Sequence, residues 1–302
     1  MTIAPPTLGG AVYDRGYRPY DGPRGGRAEA RWALWRLTVR RALGIRRSWR
    51  QKVLPWSLLG LVTVPAMVHI GIRYATRDTP VYELDFELIT FREYVGVSTL
   101  LMLFVAVSAP DVVCPDRHDR VLPLIFSRQL TGVDYVLAKV GGIFAIVFGF
   151  GFLPQVILFV GQMLVADEGA VDFVGDNADV LWQVPIAVAI LALYQASISV
   201  ALASLTDRRI VGGIALIGLM MVTTAVAGVF IETSEPDGTA MALLNLWTIP
   251  LVLRDLVFLG NVDPISALDG VAGGGFAAVL VYLAVILASF TVLLWRYREV
   301  NL

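Results

Sequence analysis

Five ionisable side chains stand in a row at Asp116-Arg117-His118-Asp119-Arg120, and an apolar group, Leu122, Leu124, Ile125 and Phe126, follows at once. This order suits non-covalent recognition. Asp116 can cap a short helix that begins with mixed charges, and the apolar residues give that helix an edge that fits a groove on another protein. Ser127, Arg128 and Thr131 come next, preceding a second helical start through Asp134, Tyr135 and Lys139.

Other residues with chemical potential are few. Cys114 is the only cysteine, which excludes a disulfide framework or a cysteine-only metal site within one copy. His69 falls late in an apolar run and is expected to hydrogen-bond between helices, while His118 belongs to the charged cluster as a docking or solvated residue. Gln155 and Gln162 share a helix face seven residues apart, and Gln195, Ser197 and Ser199 mark another apolar run. Such polar residues commonly hold helices together, and Gln155, Gln162, Gln195 and Ser199 are also candidates for lining a translocation path. No GxSxG elbow, HExxH pair or pair of mid-membrane aspartates is present, so no catalytic residue is assigned. No metal or cofactor ligand set is assigned either, and nothing points to nucleic acid.

These residues must be positioned by membrane helices. With 57% hydrophobic residues, 16% charged residues and a mean hydropathy of +0.70, the chain is not an ordinary soluble domain. A helix needs about 20 mostly apolar residues to cross a hydrocarbon core of about 30 Å. Six segments qualify: Val53–Ile72, Tyr94–Val113, Val140–Ala166, Trp182–Leu205, Ile210–Ile231 and Phe276–Trp295. The expected fold class is therefore an all-α polytopic membrane protein, with a basic arm over 1–52 and a six-span domain over 53–302. The first 52 residues contain no short apolar core followed by a small-residue cleavage site, so insertion is expected to start from the first span.

The segments between the spans alternate in charge. Residues 1–52, 114–139, Arg208-Arg209 and Arg296/Arg298 together hold 20 of the 24 Lys and Arg residues. The intervening segments hold 16 of the 25 acids, and 167–181 has five acids and no base. The positive-inside rule then places both termini in the cytoplasm. Met241–Gly260 is apolar but contains Pro250 and the Arg254-Asp255 pair. It is expected to form re-entrant or interfacial short helices, ending at the Gly273-Gly274-Gly275 hinge before the last span. Tyr82–Leu88 is expected on the outer interface.

Ala28–Arg50 reads as one helix, because Trp35, Val39, Ala42, Ile45 and Trp49 fall on one face. Arg36, Arg40, Arg47 and Arg50 flank that face within reach of lipid phosphates. The helix is either a generic basic anchor or an amphipathic interfacial helix that also contacts a cytosolic partner.

Several of these residues carry a family resemblance. Ala109-Pro110-Asp111 at a span end, Asp119-Arg120, Leu122-Pro123-Leu124, Ser127-Arg128, Leu130, Tyr135 and Lys139 resemble the ABC-2 type permeases. These are membrane subunits of ATP-binding-cassette exporters, including relatives of copper-enzyme-maturation permeases. Tyr13-Asp14-Arg15-Gly16-Tyr17-Arg18-Pro19-Tyr20-Asp21-Gly22-Pro23-Arg24 is similar to the opening of some bacterial members. The resemblance implies that 114–133 is a coupling helix that docks an ATPase through Asp116, Arg117, His118, Asp119, Arg120, Leu122, Leu124, Phe126, Ser127 and Arg128. It implies that Ala28–Arg50 is a connecting helix on the surface of a bacterial cytoplasmic membrane. Two permease subunits, identical or homologous, would work with two cytosolic ATPases. The chain has no GxxxxGK[ST] loop, so ATP and Mg would be bound by the ATPase partner. A membrane scaffold that anchors a cytosolic partner without transport is the alternative.

Overall fold

Apolar runs with no internal partner for their backbone other than themselves fold as helices, and in this chain six of them are long and apolar enough to cross a membrane. The computed structural model describes residues 25–45, 49–76, 89–95, 98–127, 129–167, 169–233 and 239–298. Among these residues every regular element is helical. The spans are α2 (Trp49–Thr76), α4 (Ser98–His118), α6 (Gly132–Val165), α8 (Val180–Ser204), α9 (Arg209–Thr233) and α11 (Gly274–Arg298). The shorter helices are α1 (Arg27–Ala42), α3 (Phe91–Val95), α5 (Leu122–Phe126), α7 (Ala170–Asp176) and α10 (Ile249–Leu259). A 3₁₀ helix covers Ala240–Leu244. The six expected spans and the six long helices coincide, and α7 gives the acid-rich 167–181 segment a helical turn that its charges do not announce.

The centre of the bundle is α4, α6 and α8. In the most apolar stretch of α8, 72% of residues are buried, against 17% in α9, which makes α8 a core helix and α9 a peripheral one. Small residues let the backbones close up. A methyl group added at Gly213 would sit 2.5 Å from the Ala106 carbonyl, where α9 crosses α4. His69 and Gln162, both buried, meet at 3.1 Å and tie α2 to α6. This is the interhelical hydrogen bond expected of His69, worth about 0.6 kcal/mol in a membrane bundle.

Two boundaries differ from expectation. The N-terminal helix ends at Ala42, because Gly44 takes a left-handed conformation (φ 65°) and closes the helix. The Ile45 amide bonds the Arg40 carbonyl and the Gly44 amide bonds the Arg41 carbonyl, the paired bonds of a Schellman stop. Ile45 therefore sits in a turn, and Trp49 opens α2 rather than closing the first helix. The second span likewise passes through both Pro110 and Pro115 to His118. A membrane helix tolerates proline where packed neighbours surround it, and in this stretch the Lys139 ammonium donates to the Val112 carbonyl, three residues before Pro115, at 3.0 Å. Asp116 consequently lies inside α4 and caps nothing.

The ion pairs sort by end. Arg27–Asp134, Arg41–Asp116 and Lys139–Asp116 join segments of the basic set, and Arg117–Asp207 and Arg209–Asp111 join that set to acids directly beside it, Asp207 before Arg208 and Asp111 near the end of the second apolar run. Arg92–Asp255, Arg92–Asp263 and Arg254–Asp255 all join segments from the acidic set. The bundle thus has a basic end and an acidic end. At the acidic end α10 has 11 residues, about 16 Å of helix, too short to cross the bilayer. Its Arg254 and Asp255 are buried, yet each is answered, with the Asp255 carboxylate shared between Arg254 at 2.6 Å and Arg92 at 3.0 Å.

Candidate functional site

At the basic end, the junction of α4, α5 and α6 brings together most of the charged and apolar groups read from the sequence. Its local stops are chemical. Thr131 and Asp134 form a capping box that starts α6: the Asp134 amide donates to Thr131 Oγ1 at 3.3 Å, and the Thr131 amide donates to Asp134 Oδ2 at 3.0 Å. Arg120 adopts a left-handed backbone (φ 51°) in the turn between α4 and α5. The short helix that follows is only Leu122–Phe126, with Pro123 in its first turn, and is far shorter than the 114–133 segment expected.

Beneath that helix is a buried charge cluster. Asp116 Oδ2 lies 2.6 Å from Lys139 Nζ, and Asp116 Oδ1 accepts from Arg41 at 2.7 Å. The Tyr135 hydroxyl donates to Asp116 Oδ2 at 3.1 Å. Lys139 is fully buried and Asp116 nearly so, whereas the Arg41 side chain is 30% exposed. A lone buried carboxylate or ammonium is costly in an apolar setting, so each charge is retained only because the other answers it. The cluster joins α1, α4 and α6 through one carboxylate.

Ring contacts connect the short helix to this cluster. Phe126 packs against Tyr135 with ring centroids 5.9 Å apart, and Tyr135 packs against Tyr297 of α11 at 4.7 Å. Leu122 and Ile125 are half-buried, and Leu124 is 69% exposed. The expected docking residues thus separate into two groups. Asp116 is buried in the charge cluster. Arg117 reaches inward to the Ser204 carbonyl and to Asp207. His118, Asp119, Arg120, Leu124 and Ser127 are exposed, with His118 Nδ1 3.0 Å from Asp119 Oδ1. Ser127 Oγ donates back to the Leu124 carbonyl and closes the helix. Arg128 lies outside the described residues.

Helix α1 is fastened to the same end at three points. Arg27 Nε donates to Asp134 Oδ2 at 2.7 Å, and Arg41 binds Asp116 at the other end of α1. That hydrogen bond and the Asp134 charge hold the Arg27 guanidinium above its ordinary pKa. Between them, a methyl group at Gly142 would sit 2.4 Å from Thr38 Cγ2, so α1 lies directly on the Gly141-Gly142 step of α6. Its inward face is Leu34, Trp35, Thr38, Val39 and Ala42. Arg36 and Arg40 point outward, with Arg36 over the Trp32 ring and Trp32 stacked on Trp35 at 4.5 Å. Arg47, the side chain of Trp49, the Tyr13–Arg24 motif and the Tyr82–Leu88 segment lie outside the described residues.

Among the described residues, the four residues named for a path have separate surroundings. Gln155 donates to the Phe91 carbonyl at 3.1 Å and borders a cavity of about 130 Å³ between α6 and α8. Gln162 is paired with His69. Gln195 borders a separate small cavity with Tyr194 and Trp247, and Ser199 donates back to the Ala196 carbonyl. Sequence reasoning missed the Asp116–Lys139–Arg41 cluster. The signal available was Lys139 itself, a cation continuing into an apolar run with no acid after it. No model of a known protein family matches the chain, and no curated protein matches it.

Proposed function

We propose that this chain is the membrane subunit of an ATP-binding-cassette exporter of the ABC-2 type, which couples ATP hydrolysis by separate cytosolic subunits to transport across a bacterial cytoplasmic membrane. The observation that carries this reading is α5. Its exposed Leu124 is offered for docking, while Phe126 on the same helix packs on Tyr135, whose hydroxyl binds the carboxylate that joins α1, α4 and α6. A push on Leu124 is thereby delivered to three helices at once. The positive-inside rule makes the basic end cytoplasmic and puts both termini there. Two copies, or one copy and a homologous permease, would enclose the path. ATP and Mg would bind the partner, whose nucleotide state biases two arrangements of the spans.

The test uses residues at the surface of the junction. The full chain is reconstituted with its ATPase, and Leu124→Asp is compared with the exchange Asp119→Arg/Arg120→Asp. Both variants are expected to abolish permease-stimulated ATP hydrolysis while thermal stability stays at the parent value. Unchanged stimulation would sink the docking assignment. Absence of both stimulation and nucleotide-dependent transport in the parent, across a panel that includes lipids and hydrophobic drugs, would favour the scaffold.

A further inference from the structure

We infer that the cleft between the start of α6 and the end of α11 is a binding site for one anionic phospholipid, holding the headgroup phosphate at its rim and an acyl chain along its wall. This inference rests on the membrane character of the helices and not on the exporter reading. The cleft has a volume of about 450 Å³, within the range of about 300–1,000 Å³ usual for ligand sites. Val133, Leu294 and Trp295 form its exposed apolar wall, and Thr131, Thr291 and Arg298 supply its polar groups. The floor is closed by the contact of Gly132 with the Tyr297 backbone, where a methyl group would sit 2.9 Å from the carbonyl oxygen.

The position along the helices selects a lipid over a soluble anion. At 34 residues, α6 is about 51 Å long, and the 25 residues of α11 make about 37 Å, so both outrun a hydrocarbon core of about 30 Å. The ends that meet at this cleft reach the headgroup zone, where an exposed tryptophan such as Trp295 is at home. The wall continues along the exposed Leu287 and Leu294 of α11, and the hydroxyl of Thr291 between them is turned back onto the Leu287 carbonyl at 2.7 Å, leaving a surface that an acyl chain can cover.

Charge selects an anion. Arg298 is exposed and has no ion-pair partner among the described residues. Arg27 reaches Thr131 Oγ1 at 3.1 Å, and both it and Arg31 lie beside Asp134 with half of each side chain exposed. Arg298 therefore lines the rim itself, Arg27 approaches it through Thr131, and Arg31 stands behind Arg27 at Asp134. A basic pocket between spans at the headgroup level is the arrangement that retains phosphate headgroups.

The experiment is native mass spectrometry of the full-length protein in detergent, titrated with dioleoyl-phosphatidylglycerol or dioleoyl-phosphatidylcholine. One phosphatidylglycerol is expected to be retained more tightly than any phosphatidylcholine. Arg298→Gln should weaken that retention about fivefold, the effect of one basic residue at an anionic surface, and Arg298→Lys should restore most of it. Val133→Trp, which fills the apolar wall, should expel the lipid without changing the unfolding temperature. Equal retention of the two lipids, or phosphatidylglycerol binding unchanged in both Arg298→Gln and Val133→Trp, would overturn the inference. Complete competition by inorganic phosphate would overturn it too, since the site would then bind the ion and not the lipid.

Discussion

Lys139 and Asp116 meet at 2.6 Å on neighbouring helices, with both side chains out of reach of solvent. Neither would be stable in that position alone. The Asp116 carboxylate also takes Arg41, so one acid holds three helices at the end of the bundle from which α5 projects. The arrangement lets an exposed short helix and a surface helix act on the same pair of spans.

Breaking this pair is expected to cost much more than replacing it. Lys139→Met leaves the buried carboxylate with the Tyr135 hydroxyl and the partly exposed Arg41 as its one cation, and should destabilise the fold by about 3–5 kcal/mol. The double variant Asp116→Leu/Lys139→Met removes both charges and should recover most of that loss. Thermal unfolding of the purified protein in detergent measures both. A double variant no more stable than the single would show that packing, and not charge pairing, holds the cluster.

The seat of α1 should depend on the absence of a side chain at residue 142. Gly142→Val places atoms where Thr38 Cγ2 already lies, and is expected to lift α1 from α6. Hydrogen exchange of residues 27–42 should then accelerate, while exchange within α8 stays at the parent rate. Adding Thr38→Ala opens the space and should restore slow exchange. Unchanged protection in Gly142→Val would mean that the Arg27 and Arg41 ion pairs suffice to seat the helix.

Orientation can be read by labelling. Cys114 is buried, so background reaction with an impermeant thiol reagent should be low. Gly175→Cys at the acidic end is expected to react on intact cells, and Asp119→Cys at the basic end only after permeabilisation. The opposite pattern would invert the topology and remove α5 from the cytoplasm.

Much of the fold was legible because crossing a bilayer is a local requirement. About 20 apolar residues either are or are not present in a segment, and counting them located all six spans. The charge alternation likewise sorted the connecting segments into two ends, and the ion pairs respect that sorting. The Thr131–Asp134 helix start was equally legible, since a capping box involves only neighbours in sequence. Two errors came from weighing local signals against each other. Gly44 closes α1 inside what reads as one amphipathic stripe, and Pro115 fails to end α4 although it stands where a helix commonly stops.

What the sequence could not decide was which polar residue faces which. Asp116 reads as an exposed cap beside other charges, and only the packing of α4 on α6 makes it the partner of Lys139. Gln162 reads as a candidate for a path, and only the approach of α2 gives it His69. The hydropathy of a segment sets whether it enters the membrane. The partner of a buried charge is set by helices distant in the chain, because the cost of leaving it unanswered is felt only after those helices have packed. The six membrane-length helices and the division of charge between two ends were thus written in the sequence, and the linkage from α5 to the spans was decided by tertiary structure.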